Sequence, residues 1–342
     1  MHYLITGHTG FKGSWLSLML ELQGHTVSGI SLDPEERSLF NQANLSNIFE
    51  HDVRLDIRHG SELSKVIRQI NPQVIIHLAA QPLVRESYKY PSKTFETNVM
   101  GTINVLEATK LLKDLRFTLI VTTDKVYKNL NRLRGYVETD ELGGDDPYSA
   151  SKAAADIAAQ SWIKSFGASP IAIARAGNVI GGGDWGTDRI IPDLVDAYSV
   201  GEVPLIRYPG ATRPWQHVLD CLNGYLTLAN SQLITGTGGE WNFGPQSSAT
   251  HSVEDLVDAF GRSWGVEGAL WQQNSMLQPA ESNYLLLDSK KAHNLLSWKE
   301  KLDFDTTIDW CVNWYRFCKI GDPTNEIRSF TQDQITRFFS LF

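Results

Sequence analysis

Three scarcities bound this chain before any motif is read. Only 3 of its 342 residues are cysteine, and Cys221, Cys311 and Cys318 form an odd set without CxxC spacing. That excludes a disulfide framework and gives no zinc-site pattern, so no metal is expected and the thiols read as small buried hydrophobes. Apolar runs such as Val74–Ile76 and Leu119–Val121 are far too short to span a bilayer. An excess of positive charge is also missing: 31 Lys plus Arg against 39 Asp plus Glu leaves −8. This balance argues against bulk nucleic-acid binding, though not against a local anion site. Met1 leads directly into a strand-like segment without a charged, then apolar, leader, so a cytoplasmic location is expected. Repeats and low-complexity linkers are absent too. What remains, 42% hydrophobic and 20% charged residues, is ordinary globular composition, long enough for one large domain or two modest ones.

The first half alternates short apolar strands with amphipathic helices. Strands are predicted over His2–Thr6, Thr26–Ser31, Val74–Leu78, Phe117–Thr122 and Ile171–Arg175. Helices are predicted over Gly13–Gln23, Ser61–Ile70 (with Ser61 as N-cap), Thr97–Leu112 and Pro147–Phe166. Repeated β-α-β units with continuous apolar strands predict an α/β fold: a Rossmann-type doubly wound parallel sheet covered on both faces. Such sheets bind ligands at the carboxyl ends of their strands. The second half is less regular, with a turn-rich Gly181–Gly186, a strand at Pro204–Arg207, and helices at Ile191–Ser199, Val218–Ala229, Ser252–Trp264, Asp288–Leu296 and Thr306–Phe317. It reads as a smaller mixed α/β lobe for substrate. The division falls near residue 176, giving 1–176 and 177–342, with segments around 205–230 able to return to the first part.

Thr6-Gly7-His8-Thr9-Gly10-Phe11-Lys12-Gly13 lies between the first strand and the first helix. Its GxxGxxG spacing is a dinucleotide-binding variant, because glycines permit a tight turn and close approach of backbone to pyrophosphate. The helix N-terminus adds free N–H groups and a partial positive charge. Asp33, about 20 residues on, ends the second strand, where a carboxylate accepts from ribose hydroxyls and repels a 2′-phosphate. That favours NAD over NADP. Asp56 and Ile57 are candidates to flank the adenine, and the small Ala79 and Ala80 would leave room for the cofactor.

Tyr148-Ser149-Ala150-Ser151-Lys152 is YxxxK at a helix start, so both side chains share one face. A phenol with pKa near 10 is a poor base at neutral pH, and a neighbouring ammonium is expected to lower it. Thr123, at the tip of the fifth strand, can reach the same edge and hydrogen-bond a substrate hydroxyl.

With these residues assembled, the chain resembles the extended short-chain dehydrogenase/reductase superfamily, through the glycine loop, His77-Leu78-Ala79-Ala80, Thr123 and YxxxK. Longer stretches, His8–Leu16, Ala80–Arg85, Thr97–Thr102, Arg175–Trp185 and Arg213–Val218, are similar to the CDP-glucose 4,6-dehydratase family over nearly the whole length. The resemblance implies bound NAD, held by Gly7, Thr9, Gly10, Phe11, Lys12, Gly13, Leu78, Ala79, Ala80 and Thr97 with Tyr148 and Lys152. It also implies a redox-neutral reaction: oxidation at C4 of the glucosyl group, loss of water from C5 and C6, and return of hydride to C6.

Elimination needs an acid or base beyond Tyr148, Lys152 and Thr123. Asp124 and Lys125 follow Thr123 directly, where the related dTDP-glucose enzymes resemble this chain but carry Asp-Glu. Asp124 is the expected acid for the departing hydroxyl. Lys125 is either the C5 base or a cation beside the enolate. Arg213 is the foremost diphosphate candidate, with Arg189, Arg207 and His217, while Gln81, Arg85, Ser87 and Asn178 are candidates near the sugar. The resemblance further implies a homodimer through a four-helix bundle and a place in deoxysugar and surface-polysaccharide synthesis. The competing readings are a nucleotide-sugar 4-epimerase, which needs no acid/base pair after Thr123, and a catalytically silent NAD-binding protein.

Overall fold

The computed structural model describes residues 1–132, 134–166, 169–245, 251–273, 285–320 and 324–341. Six strands, β1 (His2–Thr6), β2 (Thr26–Ser31), β3 (His51–Arg54), β4 (Val74–His77), β5 (Phe117–Val121) and β6 (Ile171–Ala176), join Gly239–Phe243 in one sheet. Their order is Gly239–Phe243, β6, β5, β4, β1, β2, β3, and every pairing is parallel. The central strands β4 and β5 are buried along their whole length because both faces are covered, whereas the edge strand β3 is polar and partly exposed, and the period of two sorts residues between the faces. Tyr3, Ile5, Val74, Ile76, Phe117 and Leu119 enter the larger core. Leu4, Ile75 and Ile30 enter a second core with Leu63, Ile67 and Val105 on the opposite face. The strand Gly239–Phe243 lies next to β6, so a segment far beyond residue 176 completes the sheet.

Local signals misplaced some helix boundaries. The helix expected to start at the Ser61 cap spans Gly60–Ile70, with His59 at the N-cap and no side-chain cap. Asn104 Nδ2, donating to the carbonyls of Ile57 and Arg58 at 2.9 and 3.2 Å, ties the chain down at that entry. The helix expected over 97–112 is α-helical only over Gly101–Thr109, and Glu96–Met100 is a π-turn. The buried Asn98 amide sits in that wide turn. It bonds Gln81 N and O (2.8 and 3.1 Å) and Ser151 Oγ (2.8 Å), contacts that a regular helical register need not provide. The helix Val218–Thr235 runs past the expected Ala229 until Gly236 turns left-handed at φ 66°. A closing helix, Thr324–Ser340, was not foreseen; Ile327, Thr331, Ile335 and Phe338 form its buried stripe. No helix among the described residues is long and apolar enough to cross a membrane. The three cysteines are unpaired, with Cys221 and Cys311 buried.

Candidate active site

A cleft of about 1040 Å³ opens along the carboxyl ends of β1, β2, β4, β5 and β6. One end is built from the turn after β1. Gly7 has φ 79°, and its N–H bonds Ile30 O at 2.8 Å. A Cβ at Gly7 would lie 2.8 Å from Ala79 N, and one at Gly13 would lie 2.2 Å from Gly7 O. These glycines therefore form a backbone cradle that admits no side chain. The helix Phe11–Leu22 begins there, and its N-cap Gly10 has no side-chain cap, so first-turn N–H groups are left for an anion. Thr9, Phe11 and Lys12 line the cradle with Asp56, Ile57, Leu78, Ala79, Ala80 and Thr97. Thr9 Oγ1 donates to Leu32 O (3.2 Å) and contacts Ser31 Oγ (2.7 Å), tying the loop to β2. The cradle, the uncapped helix start and Lys12 fit a dinucleotide pyrophosphate. Asp33 does not line the cleft: its side chain is 91% exposed, beside the Arg54 Nε at 3.5 Å.

The middle of the cleft gathers the candidate proton-transfer groups Thr123, Asp124, Lys125, Tyr148 and Lys152. The helix Pro147–Ser165 is capped by Asp146, whose carboxylate accepts from Ser149 N at 3.0 Å. Its first turns present Tyr148 and Lys152 to the cleft, 9% and 7% exposed. Lys152 Nζ donates to Val121 O at 2.9 Å. Burial, reinforced by the Lys12 charge, lowers its pKa to about 8. Burial also pushes the Tyr148 phenol up to about 12, against a hydrogen bond with Thr123. The expected phenolate-favouring shift is thus absent, because desolvating the anion outweighs the Thr123 hydrogen bond and the Arg189 charge. Thr123 Oγ1 donates to Asp124 Oδ1 at 2.9 Å and accepts from Lys125 N at 3.4 Å. Asp124 is 2% exposed, and its Oδ2 has no partner. Burial raises its pKa, with Lys125 and Arg213 opposing. Such a carboxyl holds its proton longer than an ordinary aspartate and can donate it. Lys125 lines the cleft with its Nζ 6.0 Å from the Tyr148 ring centroid.

The far end is cationic. Arg85, Arg189, Arg207, Arg213 and Asn178 line it. Asp188, a residue the sequence reading missed, holds Arg85 at 3.0 Å and lies 3.7 Å from Arg207, with φ 60° in the loop between them. Asp184 holds Arg189 at 2.6 Å. Three proposed substrate contacts lie elsewhere. His217 is fully buried between Trp15 and Trp310, and its Nδ1 accepts from Leu219 N at 3.2 Å. It is the N-cap of the helix Val218–Thr235. Gln81 braces its own loop, with its amide donating to Thr94 Oγ1 (2.9 Å) and accepting from Leu83 N (2.5 Å). Ser87 is buried outside the cleft lining and accepts from Tyr148 N at 3.1 Å, anchoring the start of the helix Pro147–Ser165.

A second feature had no local signal. Arg175 and Asp156, both fully buried, pair through Nε–Oδ2 (2.8 Å) and NH2–Oδ1 (2.7 Å). Asp156 continues the spacing of four from Tyr148 and Lys152, and its negative charge raises the pKa of Lys152. Asp156 thus works against the burial that lowers the lysine.

The comparisons with known proteins agree with this architecture. Residues 4–310 match the family model described as GDP-mannose 4,6 dehydratase. The chain is 40% identical over 324 residues to a CDP-glucose 4,6-dehydratase of Salmonella typhimurium, covering 91% of this chain and 89% of that one. It is 26% identical to a dTDP-glucose 4,6-dehydratase of Xanthomonas campestris, covering 92% of each. Among solved structures, a dTDP-glucose 4,6-dehydratase of Streptomyces venezuelae with NAD and TYD bound superposes with TM-score 0.81. It is 24% identical and covers 92% of this chain and 97% of that one, which establishes the shared fold. With a family model spanning most of its length and a relative at this identity, the chain belongs to the 4,6-dehydratase family.

Proposed function

We propose that the protein is an NAD-dependent hydro-lyase that converts CDP-glucose to CDP-4-keto-6-deoxyglucose and water. The observation that carries the chemistry is the pair Asp124-Lys125 directly after Thr123, with Asp124 buried and its pKa raised. A 4-epimerase needs no such pair. The choice of cytidine rests on the 40% identity to the Salmonella CDP-glucose enzyme.

When bound, NAD would take and later return two electrons, leaving the overall reaction redox-neutral. In this reading Tyr148 accepts the O4 proton as C4 is oxidised. With the phenol pushed up to about 12 by burial, positive charge brought by the cofactor and retained on Lys152 must lower it for that role. Thr123 orients the reacting hydroxyl. The C4 ketone acidifies the C5 proton, which Lys125 removes or whose enolate it stabilises. Asp124 then protonates the C6 hydroxyl as it leaves. Arg213, Arg189 and Arg207 hold the diphosphate, with Arg85 and Asn178 nearer the sugar. Residues 1–176 mainly serve the dinucleotide and 177–342 mainly the sugar nucleotide.

Mass spectrometry of the protein incubated with CDP-glucose tests this directly. A product lighter by one water supports it, an isomer of unchanged mass indicates an epimerase, and no turnover indicates a silent binder. Parallel incubations with dTDP-, UDP- and GDP-glucose test the base.

A homodimer is also part of the proposal. Phe95, Met100 and Ile157 are large apolar residues 39%, 49% and 54% exposed on the neighbouring stretches 91–109 and 147–165. Pairing these helices with a second copy would cover them in a four-helix bundle. Sedimentation should give a dimer for the parent chain and a monomer for Met100→Glu/Ile157→Glu. A parent monomer at micromolar concentration would refute it. The proposed setting is the cytoplasm, supplying deoxysugars for surface polysaccharide.

A further inference from the structure

The rim where β2 and β3 end is crowded with paired charges. Ser31 and Leu32 line the cleft there, and Asp33 follows. Arg54 ends β3 in register with Ser31, and Leu55 and Asp56 re-enter the cleft wall after it. The Arg54 guanidinium is therefore beside Asp33, with Nε 3.5 Å from its carboxylate. Any group that Asp33 receives from an adenosine ribose would lie within reach of that arginine.

Arg54 is nevertheless turned to other work. Asp52 grips its fork with both oxygens, NH1 to Oδ1 and NH2 to Oδ2, the latter at 3.0 Å. Asp52 is in turn fixed by His8 of the glycine turn, whose Nε2 lies 2.7 Å from Oδ1. The His8 ring is fully buried under Gly29, where a Cβ would fall 2.2 Å from it, and it packs against Phe40 and Phe49. The buried ring thus offers Asp52 a partner fixed by packing. The other arginine at this rim, Arg58, is likewise held, by Asp56 at 2.7 Å and Glu96 at 3.4 Å. Four carboxylates thus occupy two guanidiniums.

We propose that His8 and Asp52 form a clamp that withholds Arg54 from the ligand, and that this clamp, together with Asp33, makes the protein select an unphosphorylated adenosine ribose. The proposal rests on reading the cleft as an NAD site and goes beyond it in the cause of selectivity. A 2′-phosphate needs a cation with a free fork. Here the cation is present at the right edge and is already spent on Asp52. Selectivity then arises from an arginine held in the wrong pair as well as from the negative charge of Asp33, exposed just beyond the cleft-lining Leu32.

The test is calorimetric titration of nucleotide-free protein with NAD and NADP, which needs no turnover. Asp33→Ser alone should leave the clamp closed. Asp33→Ser/Asp52→Asn should bind NADP about tenfold or more tightly than Asp33→Ser does, the range of one charged hydrogen-bonded contact. Adding Arg54→Ala to that double variant should return it to the Asp33→Ser value. Equal NADP affinity in the single and double variants, or a gain that survives Arg54→Ala, would overturn the clamp. Should the double variant not fold, Arg54→Ala in the parent chain decides. A change of less than about twofold in NADP affinity supports withholding, and a tenfold loss shows that Arg54 already serves the phosphate. If the parent chain binds no NAD, the cofactor reading itself fails, a result separate from all of these.

Discussion

Lys125→Ala is expected to stop water loss while C4 oxidation remains measurable. The substitution removes one cleft-lining ammonium and leaves the buried groups around it in place. Thr123 still bonds Asp124, and Lys152 still bonds Val121 O. In the proposed mechanism oxidation at C4 draws on Tyr148, Thr123 and Lys152, whereas breaking the C5–H bond draws on Lys125. Removing a general base costs about 10²- to 10⁴-fold, and losing a preorganised cation beside a developing enolate costs a similar factor. Formation of the 4-keto-6-deoxy product should therefore fall by about 10³-fold. An oxidised hexose, trapped as its oxime and identified by mass, should still form. In deuterated water the parent chain should place deuterium at C5, and Lys125→Ala should not. Lys125→Arg then separates the two roles of the lysine. A guanidinium keeps the positive charge but is too weak an acid to cycle as a base. Recovery of turnover in Lys125→Arg means that the charge suffices, and continued loss means that proton transfer is required. Product at the parental rate from Lys125→Ala would remove Lys125 from the mechanism.

Lys152→Met should inactivate the protein and stabilise it at the same time. Burial lowers the lysine pKa from 10.5 to about 8, so at neutral pH the fold carries a buried ammonium that water would solvate better. The folded pKa lies below the unfolded one. The penalty is therefore complete below about pH 8 and fades as pH rises towards 10.5. A pKa shift of that size corresponds to roughly 3 kcal/mol. The lost bond to Val121 O offsets about 1 kcal/mol of it. Methionine has a similar reach and no charge, so Lys152→Met should raise the stability of nucleotide-free protein at pH 7 by about 2 kcal/mol. The advantage over the parent chain, compared at each pH in thermal melts, should shrink steadily between pH 8 and 10. Turnover should fall by about 10³-fold, because the proposed proton transfer at Tyr148 then loses the one cation on its own helix face. A variant less stable than the parent at pH 7 would show that the Val121 contact outweighs the desolvation.

Both results depend on charges concentrated in one place. The chain carries −8, yet Lys12, Lys125, Lys152, Arg189, Arg207 and Arg213 all line a single cleft. An acidic surface with a cationic cleft accepts anionic ligands locally and disfavours polyanions elsewhere. Composition could state the balance, but only folding could state where the positive charge is.

The parts legible in sequence were those with local physical causes. A parallel, two-faced sheet follows from continuous apolar strands alternating with helices. The cradle follows from glycines at positions 7, 10 and 13, because backbone conformation there is set by the lack of a side chain. Tyr148 and Lys152 share a helix face because of their spacing. The misplacements were of a different kind. Ser61 has the chemistry of a cap, yet the helix starts at Gly60 where Asn104 ties the chain. His217 has the chemistry of a phosphate ligand, yet two tryptophans enclose it. Asp188 with Arg85, Asp156 with Arg175, and His8 with Asp52 join partners from separate elements, and no spacing rule links the members of such pairs.

The sequence by itself determined the order of elements, the identity of the cradle and the kind of chemistry available, because each depends on neighbours along the chain. Only the tertiary structure decided which charges are buried, which arginines are held by carboxylates and which polar side chains brace loops instead of meeting a ligand. Desolvation and ion pairing depend on what the fold brings within a few ångströms, and that distance is not written in any local stretch of residues.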